Sequence, residues 1–261
     1  MTKQPTKTAL ITGATGGIGY EFCKHFAKNQ TNLVMIARNQ AKLKRISDQL
    51  HAEFGIATQI IALDLTEINA PQKIYQAIQH QGMHIDYVVN NAGVGFYGAF
   101  VDSEHNDLSL MINLNMTALI QLTRLFLPDM LQQGHGHILN VASLAAFQPG
   151  GPNAAVYYAS KNFVLAFNRA LVSELKGSKV SCTVFCPGPL NTDFSERGGF
   201  SATRLYRYFS GDVQKQVATA YRKAMKGKST VVPGLVNKIL AFSGEFPPRN
   251  IALSVNKFLL K

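Results

Sequence analysis

The chemistry that the sequence suggests centres on two residues, Tyr157 and Lys161, which lie four positions apart in a helical segment. Residues at this spacing share one face of a helix. A tyrosine phenol has an ordinary pKa of about 10, too high to exchange protons well near neutral pH, but a neighbouring ammonium favours the phenolate and lowers that pKa. The pair therefore predicts a general acid and base.

The spacing alone is weak evidence, because Tyr20 and Lys24 repeat it. That second pair lies on the helix after a glycine-rich turn, and no other candidate catalytic residue accompanies it. We therefore interpret it as structural. Tyr157 differs because Ser143 precedes it by fourteen residues, at the end of a predicted strand. A hydroxyl at that position could hydrogen-bond a substrate carbonyl oxygen beside the tyrosine.

Asn115 is a polar residue inside an otherwise apolar helical segment. A buried asparagine must find hydrogen-bond partners, and a local kink that holds a water molecule is one way to supply them. Two alternatives stay open: Asn113 could take this role, or Asn115 could be a satisfied structural residue.

Short apolar runs typical of buried strands alternate with longer segments of helical periodicity. Strands are predicted at 8–12, 32–36, 58–63, 87–90, 137–141 and 179–185, and helices at 20–28, 41–54, 106–133 and 154–176. Continuously apolar strands separated by helices indicate a parallel sheet covered on both faces. We therefore predict an α/β fold, a Rossmann-type doubly wound parallel sheet, whose ligands bind beyond the carboxyl ends of the strands.

The domain organisation that we expect is a single domain over residues 1–261. Within it, residues 7–195 carry the motifs, residues 186–211 form a substrate lid, and residues 212–261 are a basic C-terminal extension. The lid is rich in glycine and aromatic residues, which is typical of a segment that covers a site.

The first predicted strand runs directly into a glycine-rich turn that opens a helix. Glycines let backbone N–H groups approach a pyrophosphate, which the helix N-terminus also attracts. The alternative is a glycine-rich turn without a ligand. The cofactor-binding residues predicted here are Gly13, Thr15, Gly16, Gly17, Ile18 and Gly19.

Arg38 follows the second predicted strand, at the point where sites that prefer NAD usually offer an acidic residue to the ribose 2′-hydroxyl. A cation suits a 2′-phosphate instead. Arg38 therefore favours NADP(H) over NAD(H), with Thr15 as a second contact. The alternative is a solvated surface arginine.

Later strand ends add further polar groups to the predicted cofactor site. Asp64 and Leu65 follow the third strand, where a carboxylate could accept a hydrogen bond from an adenine amino group. After the fourth strand come small and polar residues for the adenosine half, Asn91, Ala92 and Gly93. After the sixth strand come a rigid turn and a contact for the nicotinamide amide, Pro187, Gly188 and Thr192.

In this order the motifs resemble those of the classical short-chain dehydrogenase/reductase family over about residues 7–195. The matching motifs are Thr12-Gly13-x-x-x-Gly17-x-Gly19, Asn90-Asn91-Ala92-Gly93, Asn115, Ser143, Tyr157-x-x-x-Lys161 and Pro187-Gly188. The stretches 143–161 and 187–194 are similar to those of 3-ketoacyl reductases and DltE-like members.

The resemblance implies catalytic roles for Asn115, Ser143, Tyr157 and Lys161. Tyr157 would exchange the proton, and Ser143 would hold the carbonyl oxygen. Lys161 would lower the pKa of Tyr157 and bind the nicotinamide ribose. Asn115 would hold a water molecule that connects Lys161 to solvent. Tyr157 and Lys161 thus count among the cofactor-binding residues as well.

The charge of the chain is uneven. It carries 26 Lys and Arg against 15 Asp and Glu, a formal net charge of +11. Residues 1–200 have 15 basic and 13 acidic side chains, whereas residues 201–261 have 11 and 2. No nucleic-acid-binding module is recognisable, so we expect no nucleic acid partner. The excess positive charge indicates instead that the C-terminal extension approaches an anionic substrate, a thioester carrier or a membrane.

The last eleven residues place Ile251, Val255, Phe258 and Leu259 on one helical stripe. Such a stripe usually docks on its own protein, and the alternative is peripheral contact with an anionic membrane surface or an acyl-chain partner. No window approaches 18 uninterrupted apolar residues, so we predict no spanning helix. We expect a cytoplasmic homodimer or homotetramer, with a membrane-peripheral location as the alternative.

The cysteines and histidines suggest neither disulfides nor a metal. Cys182 and Cys186 would lie roughly 13 Å apart along one strand, too far to bridge, which favours a reducing compartment. His135 and His137 have no cysteine or carboxylate ligand near them in the sequence, so we interpret them as a turn before a strand.

Together these patterns predict an enzyme that transfers a hydride between the nicotinamide of NADP(H) and a small hydrophobic carbonyl or secondary alcohol substrate. Apolar residues after Ser143, from 144 to 147, support the hydrophobic substrate. Two alternatives remain. A sugar-nucleotide epimerase or dehydratase is disfavoured by the three-residue gap between Gly13 and Gly17. A non-catalytic NADP-binding or membrane-peripheral protein is disfavoured by the complete catalytic set.

Overall fold

A single parallel sheet organises the computed structural model, which describes residues 6–245 and 249–260. Its order is β3-β2-β1-β4-β5-β6-β7. The strands are β1 Thr8–Thr12, β2 Asn32–Ala37, β3 Thr58–Ala62, β4 Tyr87–Asn90, β5 Gly136–Val141, β6 Val180–Phe185 and β7 Thr230–Val231. The order reverses between β1 and β4, which leaves a crevice beyond their carboxyl ends. The predicted Rossmann-type fold is confirmed.

Strand β1 shows why helices cover both faces of the sheet. Its five residues are all buried, and side chains of a strand alternate between the two faces. Ala9 and Ile11 join a core with helices α1 Gly17–Lys28, α2 Gln40–Phe54 and α9 Val213–Ala224, on the first face. Leu10 joins a core with helices α3 Ala70–His80, α5 Ala118–Gln133 and α6 Ala155–Glu174, on the second face.

In the described part of the chain, five further helices lie outside these two layers. They are α4 His105–Ile112, α7 Asp193–Arg197, α8 Arg204–Phe209, α10 Leu235–Glu245 and α11 Arg249–Leu259. Helix α10 contacts α11, and α11 contacts α8. These three helices come from the predicted lid and from the C-terminal extension.

Helices α4 and α5 are joined by a π-helical turn over Asn113–Thr117. Such a turn inserts one residue into an α-helix and occurs often at functional sites. Here Asn115 is buried while Asn113 is exposed. The local irregularity expected at this position is present, and it directs Asn115 rather than Asn113 into the protein.

The stretch His105–Gln133 is long and apolar enough to cross a membrane by length and composition. In this fold, however, Leu122, Phe126 and Met130 of α5 are buried in the core beneath the sheet. A core helix passes the same test of length and composition. The α5 part of the stretch therefore serves as a core helix here.

Candidate active site

A cleft of about 610 Å³ lies beyond the carboxyl ends of the central strands. It gathers side chains from segments far apart in the sequence, because parallel strands end at one edge of the sheet. The sequence-predicted residues that line it are Gly13, Thr15, Gly16, Gly17, Ile18, Arg38, Asp64, Leu65, Asn91, Ala92, Gly93, Ser143, Tyr157, Lys161, Pro187, Gly188 and Thr192. Gly19 and Asn115 are the two predicted residues that lie behind its wall.

Thr12 and Asn91 fix the ends of β1 and β4 to each other. The Thr12 hydroxyl donates to the Val89 carbonyl (3.2 Å) and accepts from the backbone N–H groups of Asn91 (2.9 Å) and Ala92 (3.0 Å). The Asn91 side chain donates in turn to the Thr12 carbonyl (2.9 Å). These bonds position the glycine turn beside β4.

The glycine turn has the shape of a cradle for a phosphate group. Gly13 has a φ of +64°, a conformation that favours glycine. A Cβ atom on Gly17 would come within 2.9 Å of the Thr192 side chain, and one on Gly19 would overlap the Gly13 carbonyl. Helix α1 begins at Gly17, so its N-terminal N–H groups open into the cleft. These residues fit a dinucleotide.

Arg38 lies in the cleft directly after β2, with its guanidinium 3.6 Å from the Asp64 carboxylate. Burial tends to raise the pKa of Asp64, but hydrogen bonds from Thr66 and the nearby Arg38 outweigh it and hold that pKa below its ordinary value. Two further residues line this end, Asn39 and Lys42. We did not predict them, although both follow Arg38 within one helical turn.

Asn115 connects two segments behind the cleft. Its side chain accepts from the Val94 backbone N–H (2.9 Å) and donates to the Val94 carbonyl (2.8 Å) and to the Ser160 hydroxyl (3.1 Å). A Cβ atom on Gly93 would lie 3.0 Å from the Asn115 Oδ1 atom and 3.5 Å from the Lys161 Nζ atom. Asn115 and Lys161 therefore flank the same small space at Gly93.

Tyr157 and Lys161 occupy one face of α6, as their spacing predicts. Both are buried, with the Lys161 Nζ atom 5.8 Å from the centre of the Tyr157 ring. Lys161 donates to the Val141 carbonyl at the end of β5 (3.2 Å). Phe194 and Phe200 hold the Tyr157 ring, with centroid distances of 5.7 Å and 5.2 Å.

Burial dominates the pKa of Tyr157 and raises it to about 12, although the hydrogen bond with Ser143 lowers it. The lowering of this pKa by Lys161 stays a prediction, because the causes that set the pKa in the protein alone are burial, Ser143 and Cys186. Burial also lowers the pKa of Lys161 to about 8, and the Cys186 thiol raises it. The physical reason is desolvation, which disfavours the charged form of both groups.

A second cavity of about 170 Å³ adjoins the cleft and is mostly apolar. Ser143, Tyr157 and Tyr206 line both spaces, so the predicted catalytic residues Ser143 and Tyr157 lie at the junction. The other residues that line the cavity are Leu144, Ala145, Gln148, Tyr158, Pro189, Phe200, Leu205, Leu240, Ser243, Ile251, Val255, Asn256, Leu259 and Leu260. Part of the predicted lid and two C-terminal helices thus form its walls.

Helix α11 docks on the protein, and its buried anchors lie beside the predicted stripe rather than within it. Asn256 and Leu260 are buried, and the Asn256 side chain donates to the Gly150 carbonyl (2.7 Å). The Tyr97 hydroxyl donates to the Leu260 carbonyl. Of the stripe, Ile251, Val255 and Phe258 stay exposed, whereas Leu259 is half-buried and lines the cavity. Periodicity identified the apolar face but not the polar anchor, because the partners of Asn256 and Leu260 lie more than 100 residues away.

The environments of the cysteines, His135 and His137 indicate structural roles for these residues. Cys23, Cys182 and Cys186 are buried free thiols. His135 contacts the Asp86 carboxylate (2.9 Å), and His137 contacts the Ser181 hydroxyl (2.6 Å). Within residues 6–245 and 249–260, no group of three His, Cys, Asp or Glu side chains could hold a metal ion.

The glycine turn lies in the same cleft as Ser143, Tyr157 and Lys161, and this arrangement matches a known family. The family model for short chain dehydrogenase matches residues 7–199. The chain belongs to the short-chain dehydrogenase/reductase family. The predicted family is thereby confirmed, and the match covers the core of the fold and the segment that leads into the lid.

Curated relatives of this short-chain dehydrogenase/reductase include ketoacyl reductases. The chain is 34% identical over 233 residues to the ketoacyl reductase HetN of a Nostoc species, which covers 89% of this chain and 79% of the relative. It is also 34% identical over 194 residues to the very-long-chain 3-oxoacyl-CoA reductase of Anas platyrhynchos, covering 72% and 61%. Ketoacyl-reductase-like relatives are therefore confirmed.

Solved structures of the family have the same fold. A short-chain dehydrogenase from Sphingobium yanoikuyae in complex with NADPH is 28% identical, with a TM-score of 0.82 over 91% of this chain and 92% of that one. The bulky-bulky ketone specific alcohol dehydrogenase from Comamonas testosteroni is also 28% identical, with a TM-score of 0.77 over 88% and 86%. The short-chain dehydrogenase/reductase described here is thus an oxidoreductase that acts on CH–OH or C=O groups with a nicotinamide cofactor.

Proposed function

We propose that this enzyme is an NADP(H)-dependent reductase of hydrophobic ketones, and that it also oxidises the matching secondary alcohols. The observation that carries the proposal is the junction of two spaces at Ser143 and Tyr157. One space is the cleft that contains the glycine turn, and the other is an apolar cavity. A substrate carbonyl at this junction would face the two hydroxyls.

The cofactor would be held along the cleft by the residues predicted from the sequence. The glycine turn and the N-terminus of α1 would bind the pyrophosphate, and Asp64 and Leu65 would contact the adenine. Gly93 and Lys161 would border the nicotinamide ribose, with Thr192 and the turn at Pro187 and Gly188 beyond it.

The preference for NADP(H) is supported by the cations at the end of β2. Arg38 and Lys42 both line the cleft, next to Thr15 at the glycine turn. The ion pair with Asp64 keeps the Arg38 guanidinium at this edge without burying it. A 2′-phosphate would add charge-assisted hydrogen bonds, whereas a bare 2′-hydroxyl would leave these cations without an anion from the ligand.

Bound NADPH would supply the hydride that adds to the carbonyl carbon of the substrate. Ser143 would donate a hydrogen bond to the carbonyl oxygen, and Tyr157 would transfer its proton to that oxygen as negative charge develops. With a pKa of about 12, Tyr157 is protonated at neutral pH, the state that a proton donor needs.

Lys161 and Asn115 would restore the proton of Tyr157. Both polar groups flank the space at Gly93, so a water molecule between them could connect α6 to solvent. The Asn115 side chain already bonds Val94 and Ser160, which fixes this wall of the site. Asn115 would therefore position the water molecule, while Lys161 would carry the positive charge.

The substrate class is supported by the cavity and by the relatives. Most of the cavity wall is aliphatic or aromatic, which favours an apolar ketone. Relatives named as ketoacyl reductase and 3-oxoacyl-CoA reductase support 3-oxoacyl thioesters within this class. We further propose a cytoplasmic homodimer or homotetramer, a location with which three buried free thiols agree.

The experiment that tests this function is an NADPH-oxidation screen across ketones, quinones, steroids and 3-oxoacyl thioesters. We expect turnover with apolar ketones or 3-oxoacyl thioesters, and slower turnover with NADH. Turnover restricted to polar carbonyls, or absent with every ketone, would contradict the proposal.

A further inference from the structure

Helices α10 and α11 each expose a row of large apolar side chains. Leu235, Ile239 and Phe242 follow the spacing i, i+4, i+7 on α10, and Ile251, Val255 and Phe258 follow it on α11. This spacing places each set on one face of its helix. We call these six residues the C-terminal apolar face.

The C-terminal apolar face gathers six exposed large apolar side chains on two helices that are neighbours. Each of its six side chains is between 45% and 73% exposed. The two helices contact each other, and both border the apolar cavity. Single exposed apolar residues need no explanation, but an extended patch marks an interaction site.

Contacts along one side of α11 attach the helix and leave this face partly exposed, with Ile251 and Val255 at the edge of the cavity. Asn256 and Leu260 are buried, and the Asn256 side chain bonds the Gly150 carbonyl. Tyr97 bonds the Leu260 carbonyl. The helix is thus attached along one side, and the exposed row is left for a partner.

The charges around the face are almost all positive. Among the described side chains of helices α8, α10 and α11 there are four basic residues, Arg204, Arg207, Lys238 and Lys257, and one acidic residue, Glu245. Glu245 pairs with Arg169 at 2.7 Å, so its charge is already compensated. The Arg204 guanidinium lies 4.5 Å from the centre of the Phe258 ring, at the edge of the face itself.

These charges favour an anionic lipid surface over a second copy of the chain. In a two-fold dimer the same patch meets itself, so the basic residues of both copies would be brought together and repel. A bilayer with anionic phospholipids can bind both the apolar side chains and the cations of this surface. Its acyl boundary takes the apolar side chains, and its headgroups attract the cations.

We propose that α8, α10 and α11 dock this enzyme on the surface of a bilayer that contains anionic phospholipids. Ile251 and Val255 belong to the C-terminal apolar face and also line the apolar cavity. The wall of the cavity therefore reaches the docked surface. A hydrophobic ketone dissolved in the bilayer would enter from there, a step that rests on the proposed function.

The test is flotation of the full chain with two kinds of vesicle, phosphatidylcholine alone and phosphatidylcholine with about one third phosphatidylglycerol. The face variant is Ile239→Glu/Phe258→Glu, and its control is Ile68→Glu/Val101→Glu, at two exposed apolar positions elsewhere. The charge variant is Lys238→Glu/Lys257→Glu. Its control is Lys176→Glu/Lys179→Glu, near the opposite end of β6.

The proposal predicts that the wild-type chain floats with the anionic vesicles. The face variant should lose about tenfold or more in partitioning, because charged groups replace inserted apolar ones. The charge variant should lose about fivefold for each cation removed, and less at high salt. Both controls should bind like the wild type, and circular dichroism should show every variant folded.

Three results would overturn the proposal. The wild-type chain could stay unbound, or the control variants could lose binding as much as the face variant. The third result would be that neither the wild-type chain nor any variant binds vesicles, while light scattering shows that the face variant is smaller than the wild-type oligomer. The face would then join two copies of the chain. Flotation needs no turnover, so its failure is distinct from a failed ketone screen.

Discussion

The Lys161 Nζ atom lies 5.8 Å from the centre of the Tyr157 ring, yet its hydrogen bond goes to the Val141 carbonyl. The lysine is therefore near the tyrosine without bonding its hydroxyl, which pairs with Ser143. Both side chains are buried, and burial moves each pKa toward the neutral form. The protein holds a protonated phenol beside an ammonium that loses its proton easily.

Replacing Tyr157 with phenylalanine should remove the proton donor and preserve the shape of the site. We expect turnover with an apolar ketone to fall by about a thousandfold or more, with NADPH affinity nearly unchanged. Steady-state kinetics and NADPH fluorescence titration measure the two effects. Tyr20→Phe, from the second Tyr–Lys pair, is the matched control and should keep full activity. Unchanged turnover in Tyr157→Phe would refute the mechanism.

The pKa of Lys161 predicts how activity depends on pH. With a pKa of about 8, the ammonium is present below pH 8 and is lost as the pH rises through that value. Tyr157 stays protonated through this range, because its pKa is about 12. We expect kcat/KM for NADPH to decline above about pH 8. A profile that is flat to pH 10 would show that the charge of Lys161 is not needed.

Arg38 is expected to set the cofactor preference. Arg38→Asp removes a charge-assisted contact to a 2′-phosphate and offers a carboxylate to a 2′-hydroxyl. The NADP/NAD ratio of kcat/KM should fall by about tenfold to a hundredfold. Arg45→Asp, an exposed arginine on the next helix, is the control and should leave the ratio unchanged. An unaltered ratio in Arg38→Asp would contradict the assigned role.

His137 should make the fold sensitive to acid. Burial lowers its pKa to about 4, whereas in the unfolded chain it titrates near 6.5. Between these values the unfolded chain binds the proton and the native protein does not, so stability falls as the pH drops from 6.5 toward 4. The loss should approach about 3 kcal/mol in the free energy of unfolding.

Urea unfolding at several pH values measures this loss. His137→Leu should flatten the dependence between pH 6.5 and 4, and His80→Gln, at an exposed histidine, should leave it in place. The same slope in His137→Leu and the wild-type chain would assign the acid sensitivity to other groups.

The sequence predicted the strand ends well, because each combines an apolar run with a glycine or polar turn. Strands β1 and β4 begin and end at the predicted residues. Helix α3 was missed, because Ile74 and Ile78 are the main apolar signal in a short polar segment. Strand β7 was missed because its two residues become a strand only by pairing with β6.

The candidate site was only partly predictable for a similar reason. Motifs located Ser143, Tyr157 and Lys161, because their spacing is local or follows strand ends. The pKa of Tyr157 depends on how completely Phe194 and Phe200 bury the ring, which no local pattern encodes. The cavity wall from α11 depends in turn on Asn256 reaching Gly150 across 106 residues.

The π-helical turn at Asn113–Thr117 makes chain length, as well as residue identity, a requirement of the site. Each residue advances an α-helix by about 100°. Deleting one residue within this turn would restore an unbroken α-helix and rotate either α4 or α5 by that angle relative to the sheet. Leu122 and Phe126 would turn out of the core, or Asn115 would turn away from Val94. The turn therefore constrains the number of residues in this segment as well as the identity of Asn115.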